Sequence, residues 1–102
     1  MPSFRVTLEV EALRPGVAPE SVLPAAAAAA AGLTIVEASS LDVVRGSARI
    51  TVRFTAEDDT TAFGIASQVA RKTRSLADVP SWLVTRRVGG QWHPLAPHRS
   101  SA

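Results

Sequence analysis

The sequence of 102 residues contains no cysteine, no tyrosine and only two histidines. The lack of cysteine excludes disulfides, cysteine-ligated zinc, iron–sulfur clusters and a thiol nucleophile. His93 and His98 lie five positions apart among prolines, not at the i, i+4 helical spacing of a zinc motif. We therefore expect neither a metal site nor a cofactor.

Long apolar runs are also lacking. The longest, residues 25–33, is about half the length that a membrane-spanning helix needs. Glu9 and Glu11 lie where a secretory signal would need an apolar stretch. We expect a cytoplasmic protein that does not enter a membrane. Its size predicts one domain over residues 1–95, followed by a flexible tail over residues 96–102.

The charge is modest in total but unevenly distributed. The net charge is +2, and the computed pI is about 10.4. Residues 1–44 contain two arginines and five acids, net −3, whereas residues 45–102 contain nine bases and four acids, net +5. Such asymmetry is typical of a surface that binds anions.

Two segments alternate strictly between apolar and polar residues, which predicts half-buried strands over residues 3–10 and 49–55. A further strand is predicted over residues 33–44, with an irregularity at Ser39-Ser40 and a tight reversal at Arg45-Gly46. The last strand covers residues 82–88, and Gly89-Gly90 turns it into a short arm over residues 91–95.

Two helices are predicted between the strands. The first centres on seven consecutive alanines and ends at Gly32. The second covers residues 57–76, with acids at its start and bases at its end, as the helix dipole favours. Its predicted core stripe is Ala62, Ile65, Ala66, Val69, Thr73 and Leu76.

The resulting order, β-α-β-β-α-β with a C-terminal β-hairpin arm, resembles the ferredoxin-like split β-α-β plait in topology alone. This resemblance implies an α+β domain in which both helices cover one face of an antiparallel sheet. The first and third strands would then be central. A fold of this kind has many unrelated functions, so it does not define one.

The uncovered face of such a sheet would display Arg5, Thr7, Glu9 and Glu11 beside Arg49, Thr51, Arg53 and Thr55. An RNA-recognition motif has the same topology but stacks bases on aromatic residues of its two central strands. Neither strand has an outward aromatic residue here, so we exclude a standard motif of that kind. Contact with a nucleic-acid backbone through Arg49, Arg53, Arg86 and Arg87 remains an alternative.

The terminal arm carries the remaining candidate binding residues. A turn at Gly89-Gly90 would place Trp92 beside Arg87 in a cation–π contact and His93 beside Arg86. Arginine and aromatic residues together are typical of anion sites and of protein interfaces. We predict Arg49, Arg53, Arg86, Arg87, Trp92 and His93 as the ligand- or partner-binding residues.

Conventional catalytic motifs are lacking, and Pro2 suggests the one enzymatic alternative. The start Met1-Pro2 before a strand is similar to that of tautomerases, in which an exposed N-terminal proline acts as a base. That resemblance implies a cofactor-free enzyme, with Arg5 or Arg49 as the cationic partner. The continuous hairpin at Arg45-Gly46 departs from that family.

The leading interpretation is a non-catalytic binding module that acts as a homodimer, since an open sheet has edges and a bare face that pairing can protect. Its open sheet face and C-terminal arm would make the subunit or partner contacts. A protein partner is also consistent with it. The alternatives are nucleic-acid or anionic-ligand binding through the arginine-rich surface, and tautomerase-like catalysis through Pro2.

Overall fold

The computed structural model describes residues 1–95, which form two helices and one five-stranded antiparallel sheet. In chain order the elements are β1 (Ser3–Val10), α1 (Val22–Ala31), β2 (Val36–Val44), β3 (Ser47–Thr55), α2 (Asp59–Arg74), β4 (Trp82–Val88) and β5 (Gln91–Pro94). The predicted α+β class is confirmed. The tail predicted over residues 96–102 lies outside the described residues.

The strands are arranged side by side in the order β2-β3-β1-β4-β5. Central β1 and β3 run antiparallel, with Val6 opposite Val52. Alternate residues of both strands are buried against the helices. The other face, here called the open face, carries Ser3, Arg5, Thr7 and Glu9 of β1 and Arg49, Thr51, Arg53 and Thr55 of β3.

The core lies between the sheet and the two helices. The rings of Phe4 and Phe54 stack at its centre with centroids 6.0 Å apart, and both are fully buried. The predicted stripe of α2 is confirmed from Ala62 to Thr73, whereas the helix ends at Arg74, so Leu76 lies beyond it and is partly buried. The Thr73 hydroxyl donates a 2.8 Å hydrogen bond to the Val69 carbonyl, which removes the cost of burying it.

The two predicted turns have the backbone that a two-residue hairpin needs. Arg45 and Gly46 have φ angles of 54° and 80°, and Gly89 and Gly90 have 57° and 82°. Positive φ at both turn residues matches the twist of paired strands. These turns place Val44 opposite Ser47 and Val88 opposite Gln91, and so set the register of each hairpin.

Some predicted boundaries are wrong. β2 begins at Val36 rather than at residue 33, and its irregularity lies between Val36 and Ala38 rather than at Ser39-Ser40. Helix α2 begins two residues later than predicted, because Asp58 caps it by accepting a 2.7 Å hydrogen bond from the Thr61 amide. That hydrogen bond lowers the pKa of the Asp58 carboxyl below its ordinary value.

Candidate functional site

The structure divides the cluster predicted on the terminal hairpin between the two faces of the sheet. In the pairing of β4 with β5, Arg87 lies opposite Trp92 and Arg86 opposite His93, as predicted. Arg86 pairs with Phe4 and therefore shares the helix side, whereas Arg87 and Trp92 share the open face. The four residues therefore do not share one surface, because neighbouring residues of a strand point to opposite faces, and their role in binding stays a prediction.

On the helix side, Arg86 connects β4 to the start of α2. Its Nη1 donates a 2.7 Å hydrogen bond to Asp59 Oδ1, and its guanidinium carbon lies 5.8 Å from the Phe4 ring centroid. The two charged side chains are 38% and 54% exposed, so the ion pair stabilises the fold by at most about 1 kcal/mol. These two contacts give Arg86 a structural role within the chain.

On the open face, the Trp92 indole contacts two central arginines rather than Arg87. The guanidinium carbon of Arg5 lies 4.0 Å from the ring centroid, and that of Arg53 lies 5.3 Å from it. Trp92 belongs to β5, so its side chain reaches across β4 to make these contacts. The terminal arm thereby places an aromatic ring on a face whose two central strands have none.

Arg5 and Arg53 lie directly opposite each other on β1 and β3. Like charges in this position repel, so other groups must offset them. Glu37, at the bulge of β2, accepts hydrogen bonds from Arg53 Nε at 3.1 Å and from Ser3 Oγ at 2.7 Å. The Ser3 hydrogen bond and then Arg53 hold the pKa of the Glu37 carboxyl below its ordinary value.

A shallow hollow of about 230 Å³ adjoins this arginine pair. Its lining residues are Arg5, Ala38, Ser39, Ser40, Asp42, Thr51 and Arg53. Among the described residues, Arg5 forms no ion pair with an acid within 4.0 Å. The hollow thus combines two cations with hydroxyl groups and one carboxylate, an arrangement that can bind an anion.

Arg49 lies further along the same face, opposite Glu9 of β1 and Asp42 of β2. No ion pair within 4.0 Å joins it to either acid in the described part of the chain. Glu9 instead accepts a 2.7 Å hydrogen bond from Ser81 Oγ. The Nε of Arg49 is buried, and no described residue hydrogen-bonds to it.

The edge strand β2 carries an exposed apolar surface. Leu41 lies opposite buried Ile50, and Val43 lies opposite Ala48, so both side chains are on the helix side of the sheet. Leu41 is nevertheless 53% exposed and Val43 70% exposed. We call Leu41 and Val43 the β2 strip; neighbouring Val44 pairs with Ser47 and lies on the open face.

Pro2 is partly buried, and its carbonyl accepts a 3.2 Å hydrogen bond from the Ala56 amide. Pro2 does not line the hollow beside Arg53, nor a second hollow on the sheet that is lined by Arg49, Glu9 and Ser81. Within residues 1–95, no three histidine or acidic side chains come together as a metal-binding group. Neither helix in that range is both long and apolar enough to cross a membrane.

The sequence reasoning missed three residues of these surfaces: Arg5 and Glu37 at the arginine pair, and Leu41 on the edge. The alternation of β1 already placed Arg5 on the open face, so the sequence could have indicated that it lies close to Arg53. Glu37 was not recognised because the irregularity of β2 was predicted at Ser39-Ser40 rather than between Val36 and Ala38. The exposure of Leu41 was not predicted, because the extent to which helices cover an edge strand depends on tertiary packing.

Comparison of the chain with family models, with curated proteins and with solved structures gives no significant match. The geometry of the described residues is therefore the basis for a functional interpretation.

Proposed function

We propose that the chain is a ferredoxin-like plait that acts as a homodimeric binding module, in which β2 of one copy pairs with β2 of another. The element order and the central position of β1 and β3 support the plait. The observation that carries the dimer is the nine-residue edge strand β2, of which every residue after Val36 is exposed. A cytoplasmic location stays a prediction from the sequence.

The two edges of the sheet differ in how they are protected. β5 has four residues and ends with Pro94, and both a short edge strand and a proline discourage further pairing. β2 has nine residues and contains no lysine, arginine or proline. Its bulge near Glu37 disrupts only the first part of the strand. The segment over residues 38–44 is therefore the favoured edge for a second copy.

Symmetry, charge and apolar contact favour a register centred on Leu41 for this pairing. Two antiparallel copies of one edge strand are related by a two-fold axis perpendicular to the sheet, so one residue lies opposite itself. An axis at Asp42 would oppose two carboxylates, which is unfavourable. An axis at Leu41 instead places Asp42 opposite Ser40 of the second copy. It also places Leu41 opposite its own copy and Val43 opposite Ser39 on the helix side, where the two Leu41 side chains bury apolar surface.

This arrangement differs from the interface expected from the sequence, where the terminal arm and open face provided the subunit contacts. Trp92 on the arm contacts Arg5 and Arg53 of its own chain. The Leu95 amide also donates a 2.9 Å hydrogen bond to the Val84 carbonyl. The arm is thus engaged within the monomer, which favours β2 over the arm as the contact between copies.

Sedimentation velocity over a range of protein concentrations tests this proposal. We expect the wild-type chain to form a dimer and the variant Leu41→Lys to remain a monomer, because a charge on the strip would face its own copy across the axis. Leu83→Lys is the matched control, since Leu83 is similarly exposed, at 48%, but lies on β4. A monomeric wild type, or equal loss of dimer in both variants, would contradict the proposal.

The tautomerase-like alternative stays a prediction. It requires removal of Met1 and a free amine on Pro2. Retention of Met1 in the mass of the purified chain would exclude that mechanism.

A further inference from the structure

We propose that the hollow beside Arg5 and Arg53 binds a small phosphate monoester that carries hydroxyl groups. The two guanidiniums would hold the phosphate, and the polar residues of β2 and β3 would contact the hydroxyl groups. This site is on the open face, whereas Leu41 and Val43 are on the helix side. Ala38, Ser40 and Asp42 of its lining belong to β2, so the hollow adjoins the proposed dimer contact.

The charge of the arginine pair favours a doubly charged group. Arg5 and Arg53 are opposite neighbours on adjacent strands, so both side chains can reach one ligand. A phosphate monoester carries a charge of about −1.5 to −2 at neutral pH and offers three acceptor oxygens. A single carboxylate is already satisfied by one guanidinium fork, whereas a phosphate can accept from two.

Contacts within the chain orient both arginines but do not use all of their hydrogen-bond donors. Glu37 binds Arg53 through Nε, which leaves the two terminal nitrogens of that guanidinium for a ligand. Arg5 is held over the Trp92 ring and has no acidic partner within 4.0 Å among residues 1–95. The Arg53 side chain is only 28% exposed, so solvent screens its charge less than that of a free surface arginine.

The size and rim of the hollow define the rest of the ligand. Its volume of about 230 Å³ suits a small molecule rather than a run of nucleotides. Ser40 and Thr51 provide hydroxyl groups, and Asp42 provides a carboxylate that can accept from a ligand hydroxyl. Asp42 would also repel a second phosphate, which disfavours a polyanion at this position.

The two tryptophans provide a reporter and an internal control for this site. Trp92 lies beside the arginine pair, whereas Trp82 packs against Phe63 on the helix side with ring centroids 5.2 Å apart. Their indole N–H signals in a ¹H–¹⁵N spectrum can be assigned with Trp92→Phe and Trp82→Phe. Binding in the hollow should shift the Trp92 signal and leave the Trp82 signal in place.

The experiment titrates ¹⁵N-labelled protein at constant ionic strength with four compounds, each by itself: glycerol 3-phosphate, inorganic phosphate, glycerol and a single-stranded oligonucleotide. We expect saturable shifts of the Trp92 signal, tightest for glycerol 3-phosphate and absent for glycerol. Arg5→Gln and Arg53→Gln should each weaken binding by about tenfold or more, because each removes charged hydrogen bonds. Arg71→Gln, the same charge change on exposed α2, should leave it unchanged.

Three results would overturn the proposal. One is the absence of saturation by either phosphate compound while the spectrum remains that of the folded protein. Another is equal weakening by Arg71→Gln, which would indicate nonspecific attraction to the net charge. The third is saturation by a single-stranded oligonucleotide alone, which would assign the open face to nucleic acid.

Discussion

The guanidinium of Arg5 on β1 lies over the indole of Trp92 on β5, with its central carbon 4.0 Å from the ring centroid. β4 separates these two strands, so the contact crosses a strand and holds the terminal hairpin to its own sheet. The open face is thereby partly covered by the chain itself, whereas the opposite edge of the sheet, β2, is left without a neighbour. The proposed ligand site is on the open face and the apolar part of the proposed dimer contact is on the helix side, with β2 common to both.

Replacing Trp92 with alanine should loosen the arm without unfolding the domain. We expect a loss of about 1–2 kcal/mol in the free energy of unfolding, from the cation–π contact and the apolar surface of the ring. Amide hydrogens of β5 should exchange faster, while those of β1 and β3 should be little affected. Urea denaturation and hydrogen exchange would measure the two effects.

Trp92→Phe is the companion variant, since it retains an aromatic face for the arginines and should lose less stability. Both variants should still dimerise, because the β2 strip is untouched. Loss of the dimer in Trp92→Ala would instead favour the terminal arm as the interface.

Glu37 should make stability depend on pH in the acid range. Hydrogen bonds from Ser3 and Arg53 lower the pKa of this carboxyl in the folded state, so the ionised form is the one that stabilises the fold. This contribution is present above the pKa of the unfolded chain and is lost as the pH falls through the folded value. The stability advantage of wild type over Glu37→Gln should therefore be constant from pH 7 down to about the ordinary pKa of 4.5 and shrink at lower pH.

Thermal unfolding of both proteins over that pH range measures the difference. Because the Glu37 side chain remains 33% exposed, salt should reduce the difference at neutral pH. A difference between the two proteins that is independent of pH would contradict the assigned role of this carboxylate.

The stacked pair Phe4 and Phe54 should dominate the stability of the core. Phe54→Ala removes a fully buried ring at 0% exposure, and we expect a loss of about 3–5 kcal/mol in the free energy of unfolding. Phe54→Leu keeps most of the volume and should cost less than about half of that. Urea denaturation measures the free energy of unfolding of both variants. An equal loss in the two would show that the site tolerates the cavity left by alanine.

Much of the fold could be predicted because local patterns and tertiary packing agree. The alternation of β1 and β3 identifies the residues that the structure buries, and the pairs Arg45-Gly46 and Gly89-Gly90 predict both hairpin turns. The bulge near Glu37 could not be located, because Ser39-Ser40 gave the stronger local signal. Its position depends on how β2 pairs with β3.

The candidate surfaces were predicted less well, because they depend on contacts between distant residues. The sequence correctly predicted that Trp92 lies opposite Arg87. The indole nevertheless extends across β4 and contacts Arg5, which no local pattern indicates. The 53% exposure of Leu41 likewise depends on how far the helices cover the edge of the sheet. An apolar residue in an alternating strand is ordinarily expected to be buried.

A disulfide at the proposed two-fold axis tests the central claim most directly, since the chain has no native cysteine. Opposite residues of antiparallel strands have Cα atoms about 4.5–5.5 Å apart, within the range that a disulfide spans. Oxidation of Leu41→Cys should therefore give a covalent dimer rapidly at low protein concentration, whereas Leu83→Cys should remain monomeric. Equal cross-linking of both variants, or none in Leu41→Cys, would contradict pairing through β2.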